Sequence, residues 1–117
     1  FGHLAGDEVL RALATRVRRE CRPADRLARY GGEEFTILLP ETGASGALAM
    51  AERIRETLAN YAIPLDPGPT VNLTVSIGVA TYPEDSDSAE KLIGAADQAL
   101  YAAKRAGRNR VCRFGKE

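Results

Sequence analysis

Apolar residues recur at helical spacing in three stretches of the chain and alternate with polar ones in several shorter stretches. Over residues 7–21, Val9, Leu10, Leu13, Ala14 and Val17 share one face of a 3.6-residue period, which predicts an amphipathic helix. Gly6 precedes it, Asp7 and Glu8 fall in its first turn where acids suit the helix dipole, and Pro23 lies just beyond its end. Residues 44–60 repeat the pattern at Ala47, Ala51, Ile54 and Leu58, with Glu52, Arg53, Arg55 and Glu56 largely on the other side. A third helix is predicted over 89–106 on Leu92, Ile93, Ala96, Leu100 and Ala103, with Ser88 as its N-cap and Gly107 as its terminator. Residues 26–30 and 34–39 read as two strands of a hairpin, separated by Gly31-Gly32 or by a tip that also takes in Glu33. Residues 70–82 alternate Val71, Leu73, Val75, Ile77 and Val79 with small or polar residues, the longest strand signal in the chain. Residues 64–69 form a loop by composition, and 109–114 a closing edge strand. The order α-β-β-α-β-α-β predicts an α/β sandwich, with helices packed on a largely antiparallel sheet, as one domain over residues 1–117.

Composition narrows the function classes. Hydrophobic residues make up 44% of the 117, enough for a core, and Lys+Arg and Asp+Glu both number 16. A zero net charge argues against a general nucleic-acid or membrane-surface binder, which carries a basic excess. Small anionic ligands stay open, because a local cluster can hold them without a net charge. Cys21 and Cys112 lack metal-type spacing and read as reduced thiols of a cytosolic domain. His3 reads as a loop or packing residue and not as a metal ligand. No apolar run is long enough to span a bilayer and no signal peptide is visible, so the expected location is cytoplasmic, without membrane insertion. Phe1-Gly2-His3, with no initiator Met, reads as the middle of a loop and thus as part of a longer protein.

The chemistry concentrates in Arg29-Tyr30-Gly31-Gly32-Glu33-Glu34-Phe35. Read structurally, Arg29 sits opposite Glu34 across the hairpin as an ordinary cross-strand pair, worth about 0.2–1 kcal/mol, and Glu33 is a solvated tip. Read chemically, glycines without Cβ atoms let a ligand approach the backbone, and their N–H groups can face an anion. Adjacent carboxylates can bind Mg²⁺, which prefers a few carboxylate oxygens together with substrate phosphates. A nucleoside triphosphate with its metal fits that combination.

Five segments, in order, carry a resemblance to one family. Arg29–Phe35 resembles the GG(D/E)EF motif of diguanylate cyclases, the GGDEF domain family. Phe1–Leu10 is similar to that family's GHxxGDxxL segment, Arg22–Asp25 to its RxxD motif, Leu73–Ala80 to its long strand, and Ala96–Val111 to its last helix and turn. The resemblance implies a ferredoxin-like, nucleotidyl-cyclase-like fold and the condensation of two GTP into cyclic di-GMP by a two-fold homodimer, one GTP per domain. It implies that Glu33 ligates Mg²⁺ (or Mn²⁺) and is the candidate base for the 3′-OH, with Glu34 supporting the metal or the geometry. Gly31 and Gly32 would lie against ribose and guanine, Asp7 would accept from guanine N–H groups, and Leu10 would pack by the base. Lys104 and Arg108 would contact the triphosphate. Arg22, Asp25 and Arg53 would form an inhibitory site for cyclic di-GMP, away from the GTP site. Without the resemblance these residues have plainer readings: Asp7 as a first-turn acid paired with Arg11, Leu10 as core, Lys104 and Arg108 as solvated cations at a helix end, and Arg22 and Asp25 as a helix end and a turn.

The family's domain begins well before Phe1, with a helix, a first strand and a short helix. That strand carries a metal-binding Asp, followed by a Lys and a guanine-binding Asn, and in the family's sheet it is central. Without it the chain is expected to be inactive alone and poorly folded unless another segment fills the gap, because buried strands would be left with unpaired backbone groups. The parent protein is expected to carry an attached sensor or regulatory domain. The rival to a cyclase is a degenerate GGDEF domain that binds GTP or cyclic di-GMP and regulates a partner domain. A class III nucleotidyl cyclase relative would share the fold idea without GGEEF or RxxD.

Overall fold

The computed structural model describes residues 3–29, 34–65 and 68–115. The elements are α1 (His3–Glu20), β1 (Arg26–Arg29), β2 (Phe35–Leu38), α2 (Ala44–Ala59), β3 (Ala62–Pro64), β4 (Thr70–Asn72), β5 (Ile77–Val79), α3 (Ala89–Arg105) and β6 (Val111–Arg113). Helices combine with ladders that are antiparallel in two of three pairs, so the mixed α/β class read from the sequence holds. Residues 1–41 with 60–72 form one compact unit, and residues 42–59 with 73–117 a second.

In the first unit, α1 buries Val9, Leu13 and Val17, one residue per turn. It starts four residues earlier than the periodicity predicts. Gly6 therefore sits inside the helix, and Asp7 and Glu8 lie beyond its first turn, which carries no acid. A glycine within a helix costs only about 1 kcal/mol relative to alanine, too little to set a boundary. Arg18 and Arg19 occupy the last turn, where cations suit the dipole. The Cys21 thiol donates to Val17 O at 3.6 Å, and burial, followed by the nearby Asp25 charge, pushes its pKa up. β1 and β2 pair antiparallel, and their register corrects the expected cross-strand pair: Arg29 stands opposite Phe35, not Glu34. Residues 30–33, where the expected turn falls, lie outside the described residues. β3 was not predicted. It ends at Pro64, whose missing N–H is tolerated at a strand end, and it sets Ile63, 1% exposed, opposite Val71 on β4.

In the second unit, α2 buries Ala47, Met50, Ala51, Ile54 and Leu58, the predicted face plus one methionine. α3 is capped as expected, with Ser88 Oγ accepting from Lys91 N–H at 3.3 Å. Of the expected face Ala103 is buried, Ala95 and Ala99 are buried beside it, and Ile93 is 38% exposed. The helix also approaches β5 closely. A Cβ on Gly78 of β5 would lie 2.2 Å from Leu100 N and 2.3 Å from Ala96 O, so strand and helix touch backbone to backbone. The predicted single strand over 70–82 is two strands with different partners, β4 with β3 and β5 with β6. β6 pairs parallel with β5, because α3 supplies the crossover that parallel neighbours require.

Candidate functional site

Asp7 and Leu10, three residues apart on α1, line one cleft of about 330 Å³ in the first unit. Ala14, Leu27 and Phe35 add apolar surface, and Arg11, Arg18 and Arg29 add cations. The α1 members recur at helical spacing, so the helix presents them as one stripe. Arg29 and Phe35 face each other across β1 and β2, and both line the cleft; in sequence they flank residues 30–34. Such a cleft offers a flat apolar surface for a ring, a half-buried carboxylate for paired N–H donors, and guanidinium groups for an anion. Glu34 is exposed and immediately precedes β2, while Gly31, Gly32 and Glu33 lie outside the described residues. Arg11, Arg18, Leu27, Arg29 and Phe35 were not singled out as cleft residues from the sequence. The spacing of 7, 11, 14 and 18 could have found the α1 pair, but the strand residues enter only through the hairpin register.

Lys104 and Arg108 belong to the second unit, at the end of α3. Lys104 is half-buried in the last turn and Arg108 is exposed. The helix closes with paired backbone bonds, Gly107 N–H to Lys104 O at 3.4 Å and Arg108 N–H to Ala103 O at 3.0 Å. This is a Schellman ending, with Gly107 at the position that favours glycine. Gly107 has φ 129°, Arg108 64° and Asn109 47°. Arg110 folds back, its Nε donating to Arg108 O at 3.0 Å. Two cations at a helix C-terminus, on a backbone held by these bonds, suit an anionic ligand.

Arg22 and Asp25 close a turn. Asp25 N–H donates to Arg22 O at 3.0 Å, and Arg22 N–H donates to Asp25 Oδ2 at 2.8 Å. Arg22 Nη2 donates to Asp25 Oδ1 at 3.2 Å and to Pro40 O at 3.0 Å. The Asp25 side chain is fully buried, and the Arg22 side chain is 55% exposed. The Arg22 backbone N–H is the chief cause that holds the Asp25 carboxyl below its ordinary pKa; the Arg22 guanidinium adds to it and burial opposes it. Arg53 is exposed on α2, in the second unit.

The donor set fits a hard cation. Among the described residues no group of three or more His, Cys, Asp or Glu side chains gathers as a metal site. Two neighbouring glutamates suit Mg²⁺, which takes one or two carboxylates and completes its shell with phosphate oxygens and water. Among the described residues no helix is long and apolar enough to cross a membrane.

A family model described as diguanylate cyclase, GGDEF domain, matches residues 1–110. Diguanylate cyclase A from Treponema denticola is 49% identical over 111 residues, which covers 95% of this chain and 30% of that protein. The chain spans about a third or less of the length of the curated relatives it matches. The crystal structure of the GGDEF domain of YfiN (TpbB) from Pseudomonas aeruginosa is similar with a TM-score of 0.93 at 39% identity, over 100% of this chain and 73% of that one. The GGDEF domain of DgcB from Caulobacter crescentus, in complex with c-di-GMP, has a TM-score of 0.84 at 37% identity, over 97% of this chain and 67% of that one.

Proposed function

The chain belongs to the GGDEF domain family, and on that premise we propose that it is the catalytic domain of a diguanylate cyclase, joining two GTP into cyclic di-GMP with release of two pyrophosphates. The observation that carries this reading is the cleft Asp7 and Leu10 share with Arg29 and Phe35, the residues that bracket an intact Gly31-Gly32-Glu33-Glu34 segment. Guanine presents N1–H and N2–H on one edge, and the Asp7 carboxylate accepts both. Leu10 packs on the ring. Gly31 and Gly32 let the backbone approach ribose and base. Lys104 and Arg108 bind the triphosphate. Glu33, with support from Glu34, would hold Mg²⁺ (or Mn²⁺), which would supply charge neutralisation at the phosphates.

The reaction needs positioning more than covalent help from the protein. Each 3′-OH attacks the α-phosphorus of the other GTP. The new P–O3′ bond forms as the bond from the α-phosphorus to the pyrophosphate oxygen breaks, and the hydroxyl proton passes to Glu33. Each domain brings one nucleotide, so the active unit is a homodimer with two-fold symmetry. By the family's pattern Arg22 and Asp25 belong to a product site that inhibits turnover, and Arg53 matches the family's secondary arginine. The domain works in the cytoplasm and answers an attached sensor or regulatory domain.

The deciding experiment incubates the full-length protein with GTP and Mg²⁺ and separates cyclic di-GMP by chromatography. Glu33→Ala is expected to lower its formation by about 10²-fold or more. Retained turnover in that variant rejects the catalytic assignment. A wild-type protein that binds nucleotide without turnover is instead a regulatory binding module.

A further inference from the structure

The segment after α3 adopts a backbone that needs support. Arg108 and Asn109 both lie in the left-handed region, at φ 64° and 47°, where a Cβ crowds the neighbouring carbonyl. Backbone bonds hold its two ends: Arg108 N–H donates to Ala103 O at 3.0 Å, and Ile77 N–H donates to Arg110 O at 3.0 Å. Between them, Asn109 Oδ1 accepts a hydrogen bond from Arg55 Nη1 at 2.9 Å, across 54 positions of sequence.

Arg55 is itself held in place. Its Nε donates to Glu52 Oε1 at 2.9 Å, its Nη2 reaches the same oxygen, and Glu56 Oε1 lies 3.8 Å away. Its side chain is only 18% exposed. A planar guanidinium with one edge committed to a carboxylate presents its remaining N–H groups at set positions. Asn109 takes one of them, so α2 holds the residue that follows Arg108.

We propose that Asn109, gripped by Arg55, is a positioning residue that sets the backbone from which Arg108 reaches the triphosphate of GTP. This rests on the proposed cyclase function and adds a determinant outside the nucleotide's own contacts. With the grip removed, residues 108 and 109 relax toward ordinary φ values and carry the Arg108 stem with them. The triphosphate contact is made in the ground state as well as the transition state, so its loss appears in KM.

The test is steady-state pyrophosphate release by the full-length protein at varied GTP. Asn109→Ala is expected to raise KM for GTP about tenfold and leave kcat within about twofold. Asn109→Asp keeps an acceptor oxygen for Arg55 and is expected to retain the wild-type KM. Arg55→Ala is expected to match Asn109→Ala, and the double variant to add nothing further. A purely structural role gives a different split, because a smaller folded fraction lowers apparent kcat and leaves KM alone. An unchanged KM in Asn109→Ala, or an Asn109→Asp variant as impaired as alanine, overturns the proposal while the cyclase reading stands. A wild-type protein that makes no cyclic di-GMP overturns the cyclase reading, and the positioning role with it.

Discussion

Asp25 keeps its charge in a fully buried position because Arg22 approaches it with both a backbone N–H and a guanidinium. Those donors favour the ionised form, so the folded state binds the Asp25 proton less readily than the unfolded chain does. Between the lowered folded pKa and the ordinary value near pH 4, the unfolded state carries the extra proton, and stability falls as pH falls. The contribution is present above about pH 4 and lost as pH drops through the folded value. Asp25→Asn is expected to flatten that acid limb in urea titrations at a series of pH values; an unaltered limb contradicts the ionised turn. The same variant tests the proposed product site. An asparagine offers guanine N1–H and N2–H one acceptor oxygen in place of two, so cyclic di-GMP inhibition is expected to weaken with turnover spared. Product binding at this proposed site would exchange the Arg22–Asp25 bonds for bonds to guanine. Unchanged inhibition removes Asp25 from that site.

The contact of β5 with α3 depends on the absence of a side chain. At Gly78 the three atoms nearest to an added Cβ are backbone atoms of the helix, all within 3 Å, and these cannot swing aside as a flexible side chain can. Gly78→Ala therefore has to lift α3 from β5 and is expected to cost about 1–3 kcal/mol, read as a lower urea midpoint. Gly94, on the same helix, has nothing within 4 Å of its would-be Cβ. Gly94→Ala is expected to shift the midpoint the other way by up to about 1 kcal/mol, through helix propensity. Equal shifts in the two variants contradict the close approach. Periodicity marked Leu92 and Ile93 because it weighs hydrophobicity, whereas the buried positions of α3 are Ala95, Ala99 and Ala103.

For the molecule as a whole, the proposed chemistry requires two nucleotides facing each other. One domain that binds one GTP cannot close the second phosphodiester, so turnover per chain is expected to rise with protein concentration in dilute solution and then level off. Activity per chain that stays constant far below the dimer dissociation constant, measured independently by sedimentation, contradicts a dimeric active unit.

The amino-acid order alone determined the helices, the buried face of α2, the Ser88 cap and the Gly107 terminator. These signals are local: each depends on residues within about four positions, and hydrogen bonds over that range form with little regard to the rest of the chain. It also displayed the chemistry of Gly31, Gly32, Glu33 and Glu34, because adjacent carboxylates beside glycines need no fold to be recognised. Tertiary structure decided which strands pair. Alternation over 70–82 reports which way side chains face, but a ladder needs a partner, and β4 and β5 found different ones. It decided the Arg29–Phe35 register and so brought the hairpin's closing residues to the same cleft as Asp7 and Leu10. It also joined Arg55 to Asn109, which no spacing rule connects. Those contacts link residues far apart in the chain, where the loop entropy is repaid only by packing that the local pattern does not encode.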